Sequence, residues 1–280
     1  MPTTQMLRKG NSELAEIGVW TWSIPALKAE SEVAGKMMTC PHAGVCASLC
    51  YARSGRYRFG NVLKAHTRNL DRYLINRELW VKDMMTELQH KRFRPTGIPH
   101  EVSWAVRDDF SWWQWSGARS LRIHDAGDFF DDQYLRDWLK VAAATPDVVF
   151  YAYTKSVQMF KDAEAEGLVP PNFVIIFSMG GKQDALVDKD VDRHDDIFPS
   201  DEAMEAAGYA DQEESDLMAA LLPNIKIGIV ANAIPQFKKK QGDQSFSDLQ
   251  KTGFKKPKDE PKKKRKPRAK KTAQPAGKET

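Results

Sequence analysis

All three cysteines of the 280-residue chain, Cys40, Cys46 and Cys50, fall within one stretch, "TCPHAGVCASLCYA", at residues 39–52. Pro41 and Gly44 separate the first two thiols and make the segment a loop, on which side chains can turn toward a common point. Thiolates are soft ligands, and three this close can wrap a single ion or one cluster. Zinc would take a fourth ligand, either His42 in the same loop or a distant histidine. A 4Fe–4S cluster held by three cysteines would leave one iron open, as enzymes that use S-adenosylmethionine require. The spacing, Cys-x5-Cys-x3-Cys, does not choose between the two. A chain without a secretory leader is expected in the reducing cytoplasm, where clustered thiols point to metal or catalysis rather than to disulfides.

A second group of reactive residues lies in "RIHDAGDFFDDQY". Asp125 and Asp128 stand three residues apart across a small Ala-Gly turn, after a strand-like run. Two carboxylates so placed can share general acid, general base or nucleophilic work. Asp131 and Asp132 are better placed than either to cap the helix that follows, and His124 reads as a core or supporting histidine. Lys155 in "YAYTKS" can meet a phosphate or a carboxylate. "YARSGRYR" interleaves Arg53, Arg56 and Arg58 with Tyr51 and Tyr57, a mixture that suits a nucleic-acid strand.

These groups need a scaffold. Near-continuous apolar runs at 18–24, 100–106, 120–125, 147–154, 172–178 and 225–231 predict strands buried on both faces of a parallel sheet. Helices are expected over 61–90, where Leu63, Leu70, Leu74, Val81, Met84 and Leu88 recur at helical spacing, and in "DDQYLRDWLKVAAAT", "SVQMFKDAEAEG" and, capped by Ser200 or Asp201, "DEAMEAAG". The alternation predicts an α/β fold, a barrel-like (β/α) array of parallel strands, complete or incomplete. No glycine-rich phosphate fingerprint follows the first strand, which argues against an open dinucleotide sheet. The polar residues cluster at one end of nearly every strand, where such folds do their chemistry. The acidic stretch 181–216 reads as an insertion or lid within a catalytic domain spanning 1–237.

Charge divides the chain further. It holds 42 basic and 38 acidic residues, but residues 251–280 alone carry a net +10, so the first 250 carry −6. From 238 to the end the chain reads as a disordered basic tail. Within it Lys262, Lys263, Lys264 and Arg265 form the densest run, able to tether the protein to DNA by displacing counterions. No apolar run of about 18 residues is present, so no membrane span is expected.

The segments "GNSELAEIGVWTWSIPA", "CYARSGRYRF", "RNLDRYL", "LRIHDAGDFFDDQYLRDWL" and "FYAYTKS" together resemble the phage gene-product-eighty-eight family over about residues 10–235. "HDAGDFF" is also similar to the strand-end motif of guanine transglycosylases, including the DpdA group that places 7-deazaguanines in phage DNA. That resemblance implies a zinc-bearing (β/α) barrel in which Asp125 meets the guanine edge. Asp128 is then the candidate nucleophile, and a 7-deazaguanine base is the small-molecule substrate. A target base must leave the stack to be reached. A cysteine loop ending in Cys-Tyr-Ala after the first strand looks instead like radical S-adenosylmethionine enzymes. Three functions are therefore expected, in this order: a DNA guanine transglycosylase with zinc held by Cys40, Cys46, Cys50 and His42; an iron–sulfur enzyme using S-adenosylmethionine; and a non-catalytic, zinc-containing DNA-binding protein.

Overall fold

Strands rich in Val, Ile, Phe and Tyr alternate with amphipathic helices, and each pair must bury its apolar face against the next. The computed structural model describes residues 5–10, 12–93, 119–212, 216–221, 223–231 and 234–254. In chain order, β1 (Arg8–Lys9) and α1 (Ser12–Glu16) lead to β2 (Trp20–Trp22). A hairpin of β3 (Lys28–Ser31) and β4 (Gly35–Met38) precedes the short helix α2 (Cys46–Leu49). Two long helices follow, α3 (Gly60–Ile75) and α4 (Arg77–Leu88). Then come β5 (Arg119–Ile123), α5 (Asp132–Ala144), β6 (Val148–Thr154), α6 (Val157–Ala165), β7 (Phe173–Ser178) and β8 (His194–Phe198). The chain continues with α7 (Asp201–Ala206), β9 (Ala210–Asp211), α8 (Asp216–Leu221), β10 (Lys226–Val230), α9 (Pro235–Gln241) and α10 (Phe246–Thr252).

Eight strands form one sheet in the order β1-β2-β5-β6-β7-β8-β10-β9. The six from β2 to β10 are mutually parallel and lie side by side in chain order. The expected barrel is not closed. Its edges are two-residue strands, β1 running antiparallel to β2 and β9 parallel to β10, and such short edges offer little backbone for further pairing. The strand expected at 100–106 lies outside the described residues.

The two faces of the sheet bury different things. On one, Trp22, Ile123, Phe150 and Phe177 pack with Trp80, Trp138 and Phe160 from the helices. Trp22, Trp80 and Trp138 meet edge-on with ring centroids 4.8–6.0 Å apart, an arrangement aromatic quadrupoles favour. On the other face, Tyr151, Ile176 and Ile227 pack against Leu14 of α1 and Leu217 and Leu221 of α8.

Three expectations are corrected. The helix foreseen over 61–90 breaks in two at Asn76, whose backbone is extended and whose side chain accepts a hydrogen bond from Leu79 N to start α4. The acidic stretch 181–216 is not merely an insertion, because it supplies β8, an interior strand of the sheet. Residues 238–254 do not belong to a disordered tail: they complete α9 and form α10, whose Phe246 and Leu249 are buried. Lys262, Lys263, Lys264 and Arg265 lie outside the described residues.

Capping at α5 follows the local chemistry. The Asp131 carboxylate accepts from Tyr134 N at 2.7 Å, whereas Asp132 sits in the first turn and pairs with Arg136 at the surface. Asp131→Ala is expected to lower the stability by about 1 kcal/mol in urea denaturation, and Asp132→Ala by less than about 0.5 kcal/mol.

Candidate functional site

The carboxyl ends of the parallel strands meet the cysteine loop. After β2 the chain runs through the β3–β4 hairpin to Thr39, whose carbonyl accepts from Asp128 N at 3.1 Å. Beside it, Ile24 N donates to Ala126 O at 3.0 Å. Gly127 makes this approach feasible: its φ is +96°, and a Cβ there would lie 2.3 Å from Ile24 Cγ1. The β5 loop is thus stitched to the segment that carries Cys40.

From the other side the cysteine loop is held by the β7 loop and by α10. Ala43 and Gly181 form an isolated antiparallel bridge. Cys46 N donates to Gly180 O at 3.3 Å, and Lys182 N to His42 O at 2.8 Å. Val45 N donates to Gln250 Oε1 at 2.8 Å. Gly44 has no room for a side chain, since a Cβ there would stand 2.0 Å from that Gln250 oxygen.

Asp128 is the hub. It is buried, and its carboxylate accepts from Phe129 N at 2.8 Å, Thr154 Oγ1 at 2.7 Å and Lys155 N at 3.0 Å. Burial still raises its pKa. The Lys155 ammonium is also buried and donates to Ser178 O, Ser178 Oγ and Met179 O at 2.7–2.9 Å, which uses all three of its protons. Burial works against its charge, but Cys46, Asp195 and Asp128 outweigh that, and its pKa is raised.

The three thiols lie within electrostatic reach of one another and of these groups. Cys40 Sγ accepts from Leu27 N at 3.2 Å, and burial followed by the nearby Asp128 pushes its thiol up to about 12. Cys46 moves the other way: the hydrogen bond from Cys50 stabilises its thiolate, and Lys155 adds to this. Cys50, the donor, is raised by that same bond. The His42 ring is lowered by burial, and the charges acting on it are those of Asp128 and Lys182. Among the described residues, no three His, Cys, Asp or Glu side chains are grouped to hold a single metal ion.

Asp125 is held by the tyrosines that follow the last cysteine. Its carboxylate accepts from Tyr57 OH at 2.6 Å and its carbonyl from Tyr51 OH at 2.7 Å. The two tyrosines of "YARSGRYR", read as stacking residues, turn inward and pack edge to face at 5.6 Å. Arg56 and Arg58 point out, and Arg53 bonds to Ala47 O on its own loop. Lys155, read as a ligand-binding lysine, spends its protons inside the protein. His124 is a core residue. Trp22 Nε1 can only donate, so it bonds to the Tyr134 oxygen at 2.8 Å and leaves the phenol proton for His124 Nε2. The ring is neutral, its pKa lowered to about 3 by burial.

Sequence reasoning missed Asp195. It stands on β8 with 1 % exposure, one oxygen 3.3 Å from Ser178 Oγ and the other, Oδ1, without a hydrogen-bond partner among the described residues. Burial raises its pKa from 3.8 to about 7. It also missed Arg122, which bridges Asp216 and Tyr51 OH and lies 4.9 Å over the Tyr153 ring.

A family model described as gene product 88 matches residues 3–258. The chain belongs to that family. No curated protein and no solved structure matches it. The match takes in α9, α10 and Gln250, in keeping with a body that continues past residue 237. Among the described residues, no helix is long and apolar enough to cross a membrane.

Two measurements probe this arrangement. Between pH 4 and 7 the folded state holds a proton on Asp195 that the unfolded chain has released, so stability falls as pH rises through that window. Asp195→Asn removes its share of the slope, to which Asp128, Asp131 and Asp184, also raised by burial, still contribute, and urea melts of the two proteins should diverge by up to a few kcal/mol at pH 7 while agreeing more closely near pH 4. Lys155→Met in chelator-treated protein should raise the apparent pKa for alkylation of Cys46, followed by mass spectrometry of its peptide, because the ammonium that favours the thiolate is gone.

Proposed function

We propose that this chain is an iron–sulfur enzyme that binds S-adenosylmethionine and cleaves it reductively. The observation that carries this reading is an all-thiol loop at the carboxyl end of the first of six parallel strands laid in chain order. Ligands in parallel α/β folds gather at that end, and Asp128, Thr154 and Lys155 stand at the same mouth.

The chemistry of the thiols suits such a group, whose irons are spread over a cluster rather than gathered in the single ion that these side chains do not encircle. Three thiols, one biased toward thiolate, are offered by a loop in which no Asp or Glu occurs from Cys40 to Leu70. That is a soft set suited to iron–sulfur chemistry rather than to a hard cation. Cys40, Cys46 and Cys50 would hold the cluster, which when bound supplies an electron and one iron with an open position. The protein's part is positional. Asp128 fixes the β5 loop against Thr39, Gln250 and the Gly180–Lys182 turn fix the loop between Cys40 and Cys46, and Lys155 offsets thiolate charge. The 125–127 turn, with the half-buried carboxylate of Asp125, is the part of the mouth we assign to the amino-acid end of S-adenosylmethionine.

One observation favours the guanine-exchange reading: Asp125 is a half-buried carboxylate at the mouth with a tyrosine donor beside it. It lacks a second available carboxylate, since Asp128 already accepts three hydrogen bonds in the interior. The geometry therefore supports base exchange less well.

Protein purified without oxygen should be brown, with broad absorbance near ~400 nm and stoichiometric iron and sulfide. With dithionite it should convert S-adenosylmethionine to 5′-deoxyadenosine, and each of Cys40→Ala, Cys46→Ala and Cys50→Ala should abolish both signals. Colourless protein with one tightly held zinc would overturn the assignment, and base exchange abolished by Asp125→Asn would put the transglycosylase in its place.

A further inference from the structure

The segment that turns Tyr57 into the site also displays a row of cations on the surface. From Cys40 to Leu70 there is no acidic residue, whereas Arg53, Arg56, Arg58, Lys64 and Arg68 fall within it, in a body otherwise net negative over its first 250 residues. Among the described residues, the side chains of Arg56, Arg58, Lys64 and Arg68 make no ion pair or hydrogen bond and are exposed, and Lys64 and Arg68 line a groove that Glu30, Glu32 and Asp71 also line. Between them Phe59 is 58 % exposed, an unusual position for a large aromatic, and α3 begins after it without an acidic residue in its first turn.

The geometry of the short 3-10 turn Gly55–Arg58 ties this row to the mouth. Tyr57 goes in to Asp125 while its two neighbours go out. Two residues span at most about 7 Å of chain, so a polyanion gripped by Arg56 and Arg58 is held beside the hydrogen bond between Tyr57 and Asp125.

We propose that this row, Arg56, Arg58, Phe59, Lys64 and Arg68, binds a single strand of DNA and leads one of its nucleotides to the strand-end site. The inference rests on the enzyme reading above and names its substrate class. The guanidinium and ammonium groups neutralise successive phosphates, and the exposed Phe59 ring offers its face to one unpaired base. A duplex keeps its bases stacked on each other and gains only the charge contacts. Arg56, Arg58 and Phe59 offer no acceptor side chain for the proton of a ribose 2′-hydroxyl, so nothing in this part of the row selects RNA, and DNA is the strand assigned.

The test is fluorescence anisotropy of a labelled 20-nucleotide oligothymidylate with the full chain, over a range of salt. Arg56→Gln/Arg58→Gln should weaken binding about tenfold or more and reduce the steepness of log K against log salt by about 1.4, the release expected for two phosphates of a single strand. Phe59→Ala should cost about five- to tenfold with the salt slope unchanged, as loss of a stack and not of a charge. A variant with Lys262, Lys263, Lys264 and Arg265 all changed to Gln separates the contribution of the basic run near the C-terminus. If that variant alone loses binding while the Arg56/Arg58 and Phe59 variants bind as wild type, the proposal is overturned. It is overturned also if a duplex, or an RNA oligouridylate of the same length, binds tenfold tighter than the DNA strand. Iron content and absorbance near ~400 nm are read on the same samples. Colourless protein that binds DNA as described removes the enzyme reading and leaves the surface assignment standing. Brown protein that cleaves S-adenosylmethionine but ignores DNA does the reverse.

Discussion

The carboxylate of Asp128 holds together what the rest of the site requires. Through the hydrogen bonds it accepts from Thr154 and Lys155 it binds the end of β5 to the end of β6, and its own N–H reaches Thr39, just before the first cysteine. A buried carboxylate that lost those donors would be left uncompensated, at a cost of several kcal/mol. The arrangement is therefore close to all-or-none, and the thiol loop inherits the rigidity of two central strands. Lys155 follows from it: with its backbone N–H fixed by Asp128, its side chain is aimed at Ser178 and Met179 and stands next to Cys46 and Asp195.

The parallel order of the sheet explains why such different residues meet. Consecutive strands are spatial neighbours, so the loops after β2, β5, β6 and β7 follow one another along a single rim. Apolar side chains fill both faces beneath that rim, with the aromatic cluster on one side and Leu14, Tyr151 and Leu217 on the other. Polar side chains are tolerated at the rim because each finds a donor or acceptor on the adjacent strand, as Thr154 finds Asp128 and Lys155 finds Ser178.

Much of this was readable in advance, and the failures have physical causes. The runs that became β5, β6, β7 and β10 are buried on both faces, so their apolar character survives any choice of partner. β8 escaped because His194, Asp195 and Asp196 lead it, and their burial depends on Tyr209, Ser178 and Ser247 from distant parts of the chain. The end of the folded body was misread for a similar reason: Lys238, Lys239 and Lys240 crowd the surface of α9, and only Phe246 and Leu249 mark α10 as packed. Asp125 and Asp128 were recognised as carboxylates at a strand end, yet their division of labour was hidden. Which of the two is saturated depends on Thr154 and Lys155, more than 25 residues away. The inward turn of Tyr51 and Tyr57 was equally hidden, since an aromatic beside an arginine looks the same in sequence whether its ring faces solvent or a buried carbonyl.

The clamp between Val45 and Gln250 joins residues 205 positions apart. During synthesis on the ribosome the three cysteines emerge among the first fifty residues, while the glutamine that pins their loop is made after almost all of the sheet. The nascent protein thus passes most of its elongation with that loop free on one side. Docking of α10, which carries Gln250, is then the step that fixes it from that side.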